Sequence, residues 1–199
     1  RVPRGPTAGQ RLPTFQHPAA GSFPGAPKRR DDGCMSSSIV FVPRERRPGE
    51  ARVAATPETA RRLIQAGFSV VVEPGAGVGA HIPDAAFQQA GAELLPAAEG
   101  WHRASAVLTV GPPDPEQAQT MQQGAALIGL LAPHQSQELL ATVAARGVSA
   151  LAMERVPRIT RAQKMDALSS QASIAGYKAV LLAAAALDKY FPLLMTAAG

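Results

Sequence analysis

Between residues 158 and 171 the chain reads RITRAQKMDALSSQ, which gathers Arg158, Gln163, Asp166 and Ser169 into one short stretch. A guanidinium and a carboxamide present several N–H donors in fixed directions, an ionised carboxylate accepts, and a hydroxyl does both. Such a set could hold the polar atoms of a ligand in register. It also has a plain structural reading, because Thr160 and Gln163 fit a T-x-x-Q capping box at a helix start. If a helix runs on from Thr160, then Gln163, Asp166 and Ser169 or Ser170 recur every three or four residues and share one face. A polar stripe of this kind can be an ordinary solvated surface. Two features point beyond that: the stripe follows directly on an apolar run, GVSALAM, and Arg158 leads it from a loop opened by Pro157. From local pattern alone, a ligand-holding loop and a solvated helix face both stand.

A second stretch, PGAGVGAHIPD, places Gly75, Gly77 and Ala80 in the spacing G-x-G-x-x-[G/A] after an apolar run. In a dinucleotide fingerprint that motif opens straight into a helix, whose first amides hold the pyrophosphate. Here His81, Ile82 and Pro83 intervene, so a helix begins only near Pro83, with Asp84 in its first turn. The stretch is read as a connecting loop, and His81, with no second ligand at metal spacing, as a loop or packing residue.

The elements that must carry these residues alternate. Five apolar runs, at 39–43, 68–74, 105–111, 125–133 and 147–153, are short and bounded by Gly or Pro, as strands covered on both faces should be. Between them lie the helical segments TPETARRLIQAG, PDAAFQQAGA, DPEQAQTMQQG and SQELLATVAARG. Thr56 before Pro57 reads as an N-cap, and Gly67, Gly124 and Gly147 sit where C-cap glycines belong. A long alanine-rich helix follows the 158–171 stretch and is expected to end at Pro192. Strand alternating with helix predicts an α/β fold with a doubly wound, mostly parallel sheet of Rossmann or flavodoxin type, whose functional groups gather at the carboxyl ends of the strands.

The net charge of +5 does not indicate nucleic acid. Residues 1–34 hold six Lys and Arg against Asp31 and Asp32, so most of the excess belongs to a Pro- and Gly-rich tail rather than to a folded face. Residues 1–37 are read as a disordered basic tail, with Met35 as the natural start, and 38–190 as the folded domain. The single cysteine, Cys34, excludes an internal disulfide and any multi-cysteine metal site, and no metal is expected. The longest apolar run, Ala179 to Leu187, is far short of the roughly 20 residues that span a bilayer.

Two stretches together resemble one family. VPRERRPGEARVAATPETARRL, with the later PRITRAQKMDALSSQASIAGYKAV and MTAAG, is similar to the N-terminal part of the NAD(H)-binding alpha subunit of proton-translocating NAD(P)+ transhydrogenases, in the superfamily that includes alanine dehydrogenase. The resemblance runs from about Ile39 to Gly199. It implies that Arg158, Asp166 and Ser169 position the nicotinamide, carboxamide and ribose of NAD(H), and that Gln163 reaches towards NADP(H) bound by a partner subunit. The implied partners are the NADP(H)-binding beta subunit and the membrane subunits, with the alpha subunit a homodimer on the cytoplasmic face of the bacterial inner membrane. The family's true glycine-rich fingerprint lies beyond MTAAG, so residues 191–199 would begin the crossover into an NAD-binding Rossmann domain that this chain lacks, and the chain alone would bind NAD weakly or not at all.

Departures separate it from the amino-acid dehydrogenases. Thr109 stands where alanine dehydrogenase has a substrate-binding Lys, and Leu131 where it has a catalytic His; His134 is three residues late. Arg52 matches their carboxylate-binding Arg, but an ion pair with Glu50 or Glu58 would explain it equally. An amino-acid dehydrogenase domain and a non-catalytic binding or assembly module remain the alternatives.

Overall fold

The structure, a computed structural model, describes residues 38–189. The expected tail (1–37), Cys34, Pro192 and the expected crossover (191–199) lie outside the described residues. Within them, six parallel strands form one sheet in the order β3-β2-β1-β4-β5-β6. They are β1 (Ile39–Val42), β2 (Ser69–Val72), β3 (Glu93–Leu94), β4 (Ala106–Leu108), β5 (Ala126–Gly129) and β6 (Ser149–Ala152). The order reverses between β1 and β4, which makes that edge the topological switch point of a doubly wound sheet.

The apolar runs are unbroken because alternate residues serve opposite faces. Phe41 and Val71 enter one core with Trp101, Val107, Leu127, Leu131, Leu139 and Val143. Their chain neighbours Val42, Val70 and Val72 enter the other, with Ala60 and Phe87. Helices α1 (Pro57–Gln65) and α2 (Asp84–Gln89) contribute to the second core, and α3 (Ala97–Arg103), α4 (Pro115–Gln119) and α5 (Gln137–Ala145) to the first. Thr56 caps α1 as expected, accepting from the Thr59 amide, with Pro57 at the first helical position. Gly67 and Gly147 follow the C-caps of α1 and α5, whereas Gly124 belongs to a turn four residues beyond the last residue of α4 at Thr120's far side, between Gln122 and Ala125.

Two elements escaped the pattern. Strand β3 is only two residues long, with Glu93 exposed and Leu94 partly buried, so it has no apolar run to detect. Helix α3, AAEGWHR, carries a glycine in its interior, which costs about 1 kcal/mol against alanine. The reason is steric: a Cβ on Gly100 would lie 2.3 Å from the Phe41 ring. That ring in turn meets Trp101 edge to face, with centroids 5.9 Å apart.

Helix α6 (Ala167–Ala186) differs from the rest. None of its residues is buried, and Ile174, Tyr177, Val180 and Leu182 are each more than half exposed. It ends at Ala186, where Leu187 turns to extended backbone, earlier than the expected stop at Pro192. Among the described residues, no helix is long and apolar enough to cross a membrane.

Candidate functional site

Loops that leave the carboxyl ends of parallel strands carry amides with no ladder partner, and here carboxylates take them up. Glu73, after β2, accepts from the Arg44 amide (2.9 Å) and the Arg46 guanidinium (3.1 Å). Glu45, after β1, accepts from the amides of Val110 (2.6 Å) and Gly111 (3.3 Å) beyond β4, across the switch point. Its burial pushes the carboxyl above the ordinary glutamate range despite those two donors. Glu154, after β6, accepts from Ala132 (2.5 Å) and Leu131 (3.3 Å) beyond β5. The edge is thereby laced strand to strand, and the last lace fixes the 3-10 turn Met153–Arg155 from which the 158–171 stretch departs.

That stretch is not one helix. Thr160–Met165 forms a 3-10 turn whose N-cap, Ile159, makes no side-chain cap, so the expected capping box of Thr160 and Gln163 does not form. Asp166 caps α6 instead: its carboxylate accepts from the Ser169 amide (2.9 Å) and the Ser169 hydroxyl (2.6 Å), while Ser170 donates to the Asp166 carbonyl. An aspartate before a helical run is the stronger cap, because an ionised acceptor also meets the positive end of the helix dipole. The Ser169 hydroxyl, then its amide, hold the Asp166 carboxyl below its ordinary range, with Arg158 adding a smaller attraction.

The break brings three of the four expected site residues around one cleft of about 270 Å³. Arg158, Gln163 and Asp166 line it with Pro157, Ile159, Thr160 and Ala162, and Ser169 is tied to it through Asp166. Arg158 and Gln163 are exposed, and neither side chain is hydrogen-bonded to another described residue. Two multi-donor groups with free N–H bonds therefore flank a carboxylate whose orientation is already fixed.

The glycine-rich loop is a connector. Val78–Ala80 makes a short 3-10 turn, His81 closes it in the left-handed region (φ 59°), and α2 begins only at Asp84. The Gly75 amide, which a phosphate would need, is taken by the Asp84 carboxylate at 2.9 and 3.1 Å. Close packing accounts for the second glycine pair: a Cβ on Gly79 would sit 2.7 Å from the Ala51 carbonyl oxygen, and one on Gly77 2.5 Å from that of Ile82.

Of the positions that mark an amino-acid dehydrogenase, Leu131 is fully buried in the core, and His134 lies on the surface with Nε2 3.5 Å from the Arg155 guanidinium. Thr109 is buried beside Gly129 with its hydroxyl unpartnered. Arg52 pairs with Glu50 rather than Glu58, through Nε (2.7 Å) and Nη2 (2.6 Å), and its Nη1 donates to Gln171 (2.8 Å). Glu58 pairs with Arg62. Glu45, Glu154 and Gln171 went unnoticed in the sequence, since a lone acid or amide near a strand or helix end has no distinguishing pattern.

Residues 41–175 match the family model described as alanine dehydrogenase/PNT, N-terminal domain. The chain belongs to this family. Within it the chain is 43% identical over 161 residues to the NAD(P) transhydrogenase subunit alpha of Haemophilus influenzae, covering 81% of this chain and 31% of that one. The solved transhydrogenase of Sinorhizobium meliloti superimposes with a TM-score of 0.75 at 44% identity, covering 81% of this chain and 48% of the other. Alanine dehydrogenase 1 of Staphylococcus aureus is more distant, at 30% identity over 146 residues, 73% of this chain and 38% of that one. This alanine dehydrogenase/PNT chain thus spans less than half the length of these relatives, and its likeness to transhydrogenase alpha subunits, drawn first from two motifs, is borne out over most of its length.

Proposed function

We propose that the chain is the amino-terminal portion of the NAD(H)-binding subunit of a proton-translocating NAD(P)+ transhydrogenase, and that its 158–169 segment holds the nicotinamide end of NAD(H) for hydride transfer to NADP+. The observation that carries this reading is the cleft in which Arg158 and Gln163, with free donors, flank a carboxylate locked by Ser169. When bound, the nicotinamide supplies the hydride. Direct transfer needs no proton donor from the protein, so the protein's part is placement to near-contact distance. Arg158 and Asp166 suit a carboxamide and ribose hydroxyls, the one as donor and the other as acceptor, while the exposed Gln163 is free to reach a nucleotide carried by a partner. The pyrophosphate does not fit here, because Asp84 already fills the amide of the one glycine-rich loop after a strand. It would be held by a further domain of the kind the longer relatives have room for.

The partners that follow are an NADP(H)-binding subunit and membrane subunits that move protons, with the subunit paired as a homodimer on the cytoplasmic face of a bacterial inner membrane. The amino-acid dehydrogenase alternative is disfavoured by the buried Leu131 and by Glu50, which occupies the Arg52 fork that a substrate carboxylate would need. Equilibrium NADH binding distinguishes the readings. A chain extended to the relatives' length should bind NADH and, with its NADP(H)-binding partner, reduce NADP+; alanine-dependent NADH production, or no nucleotide binding by the extended chain, would overturn the proposal.

A further inference from the structure

Helix α6 carries the Asp166–Ser169 pair, yet it stands away from both cores, with no residue buried. Among the described residues, one hydrogen bond joins α6 to anything before Asp166: the Arg52 Nη1 donates to the Gln171 Oε1 at 2.8 Å, across 119 residues of sequence. The donor is itself held. Glu50 grips Arg52 through both oxygens, and its Oε1 also accepts from the Arg52 backbone amide at 3.0 Å. The Glu50 side chain is mostly buried, at 16% exposure, so this guanidinium has a fixed base in the loop after β1. Its remaining direction is spent on α6. Gln171 sits two residues past Ser169, and its bond therefore restrains the first turns of the helix against the carboxyl edge of the sheet.

We infer that Gln171, held by the Glu50–Arg52 pair, is a positioning residue for the 158–169 site: it fixes the rotation and tilt of the first turns of α6 and thereby aims the Asp166 carboxylate and Ser169 into the cleft. A primary amide suits this position because its oxygen accepts from Arg52 without adding charge beside Asp166. The proposal deepens the nicotinamide-holding reading and rests on it. It also gives Arg52 a task that leaves no part of its fork free for a substrate carboxylate.

The test has a structural arm on the 199-residue chain and a functional arm on the extended subunit assembled with its partner. In the first, Gln171→Ala should speed amide hydrogen exchange at Ser169–Gln171 while the exchange of β1, β4 and β5 and the melting temperature stay unchanged. In the second, Gln171→Ala should lower the rate of single-turnover hydride transfer about tenfold or more, as expected when reacting groups are displaced by a fraction of an ångström to an ångström. Gln171→Glu, which keeps an acceptor for Arg52, should recover most of that loss, and Arg52→Met should reproduce it. Unaltered exchange and transfer in Gln171→Ala, or equal loss in the Ala and Glu variants, would overturn the role of Gln171. Asp166→Asn in the same assay separates the two ideas: if it slows transfer while Gln171→Ala does not, the strap alone fails, and if neither matters, the nicotinamide reading fails with it.

Discussion

Residues 39–156 and residues 157–186 are built on opposite principles. In the first region, alternate side chains of each central strand enter two cores, and the loops beyond the strands are laced by buried or half-buried carboxylates. In the second, a 3-10 turn and a 20-residue helix are held by local caps and one long-range hydrogen bond. Burial makes the sheet a mount; hydrogen bonds alone orient the groups it carries. Substitutions in the first region should change stability and leave little else to measure, whereas those in the second should change geometry at little cost in stability.

The largest effect is expected at the contact that binds both faces of β1 to α3. Phe41→Ala should destabilise the domain by about 3–5 kcal/mol, the range for deleting a fully buried aromatic, and Gly100→Val should fail to fold, because its Cβ would overlap the Phe41 ring; denaturant titration checks both. Next in size is Glu154→Ala, which leaves the Leu131 and Ala132 amides without their acceptor and should cost about 1–3 kcal/mol by the same titration. In contrast, Ile174→Glu or Tyr177→Ser on α6 should shift the stability of the 199-residue chain by no more than about 0.5 kcal/mol, since these side chains are exposed. A larger loss would mean that α6 packs on the domain more closely than its exposure indicates.

The smallest effects are those of pH. The Asp166 carboxyl lies below its ordinary range in the folded chain, so its cap is complete above the unfolded aspartate value and is lost only as pH falls through the lower folded value. The Ser169 amide resonance should therefore titrate below about pH 3.9. Glu45 has the opposite sign: its folded value is raised, so its protonated form is favoured by folding, and the stabilisation present at low pH is lost as pH rises through that raised value. A titration of Glu45 in the ordinary glutamate range would remove that distinction between the switch-point loop and the α6 cap.

The contrast also explains what the sequence discloses. Strands β1, β2, β4, β5 and β6 are legible because residues buried on both sides must be apolar without interruption, and parallel pairing follows from the helices between them. Strand β3 and helix α3 are not, because pairing of two residues and a glycine fitted to an aromatic ring are settled by neighbours distant in sequence. The polar cluster at 158–169 is visible as composition, but its geometry is not: Thr160 and Asp166 both qualify as caps, and the choice of Asp166 depends on Ser169 three residues on. Gln171 is invisible altogether, since its partner lies on the far side of the sheet in sequence.

Single-turnover hydride transfer from NADH to NADP+ by Gln163→Ala, in the extended subunit assembled with its NADP(H)-binding partner, bears most directly on the claim that this segment places a nicotinamide. The expected result is a rate lowered by about two orders of magnitude, as for a misplacement of roughly an ångström, with circular dichroism and melting unchanged because the exposed Gln163 side chain is bonded to no other described residue. A rate equal to that of the unsubstituted protein would contradict it.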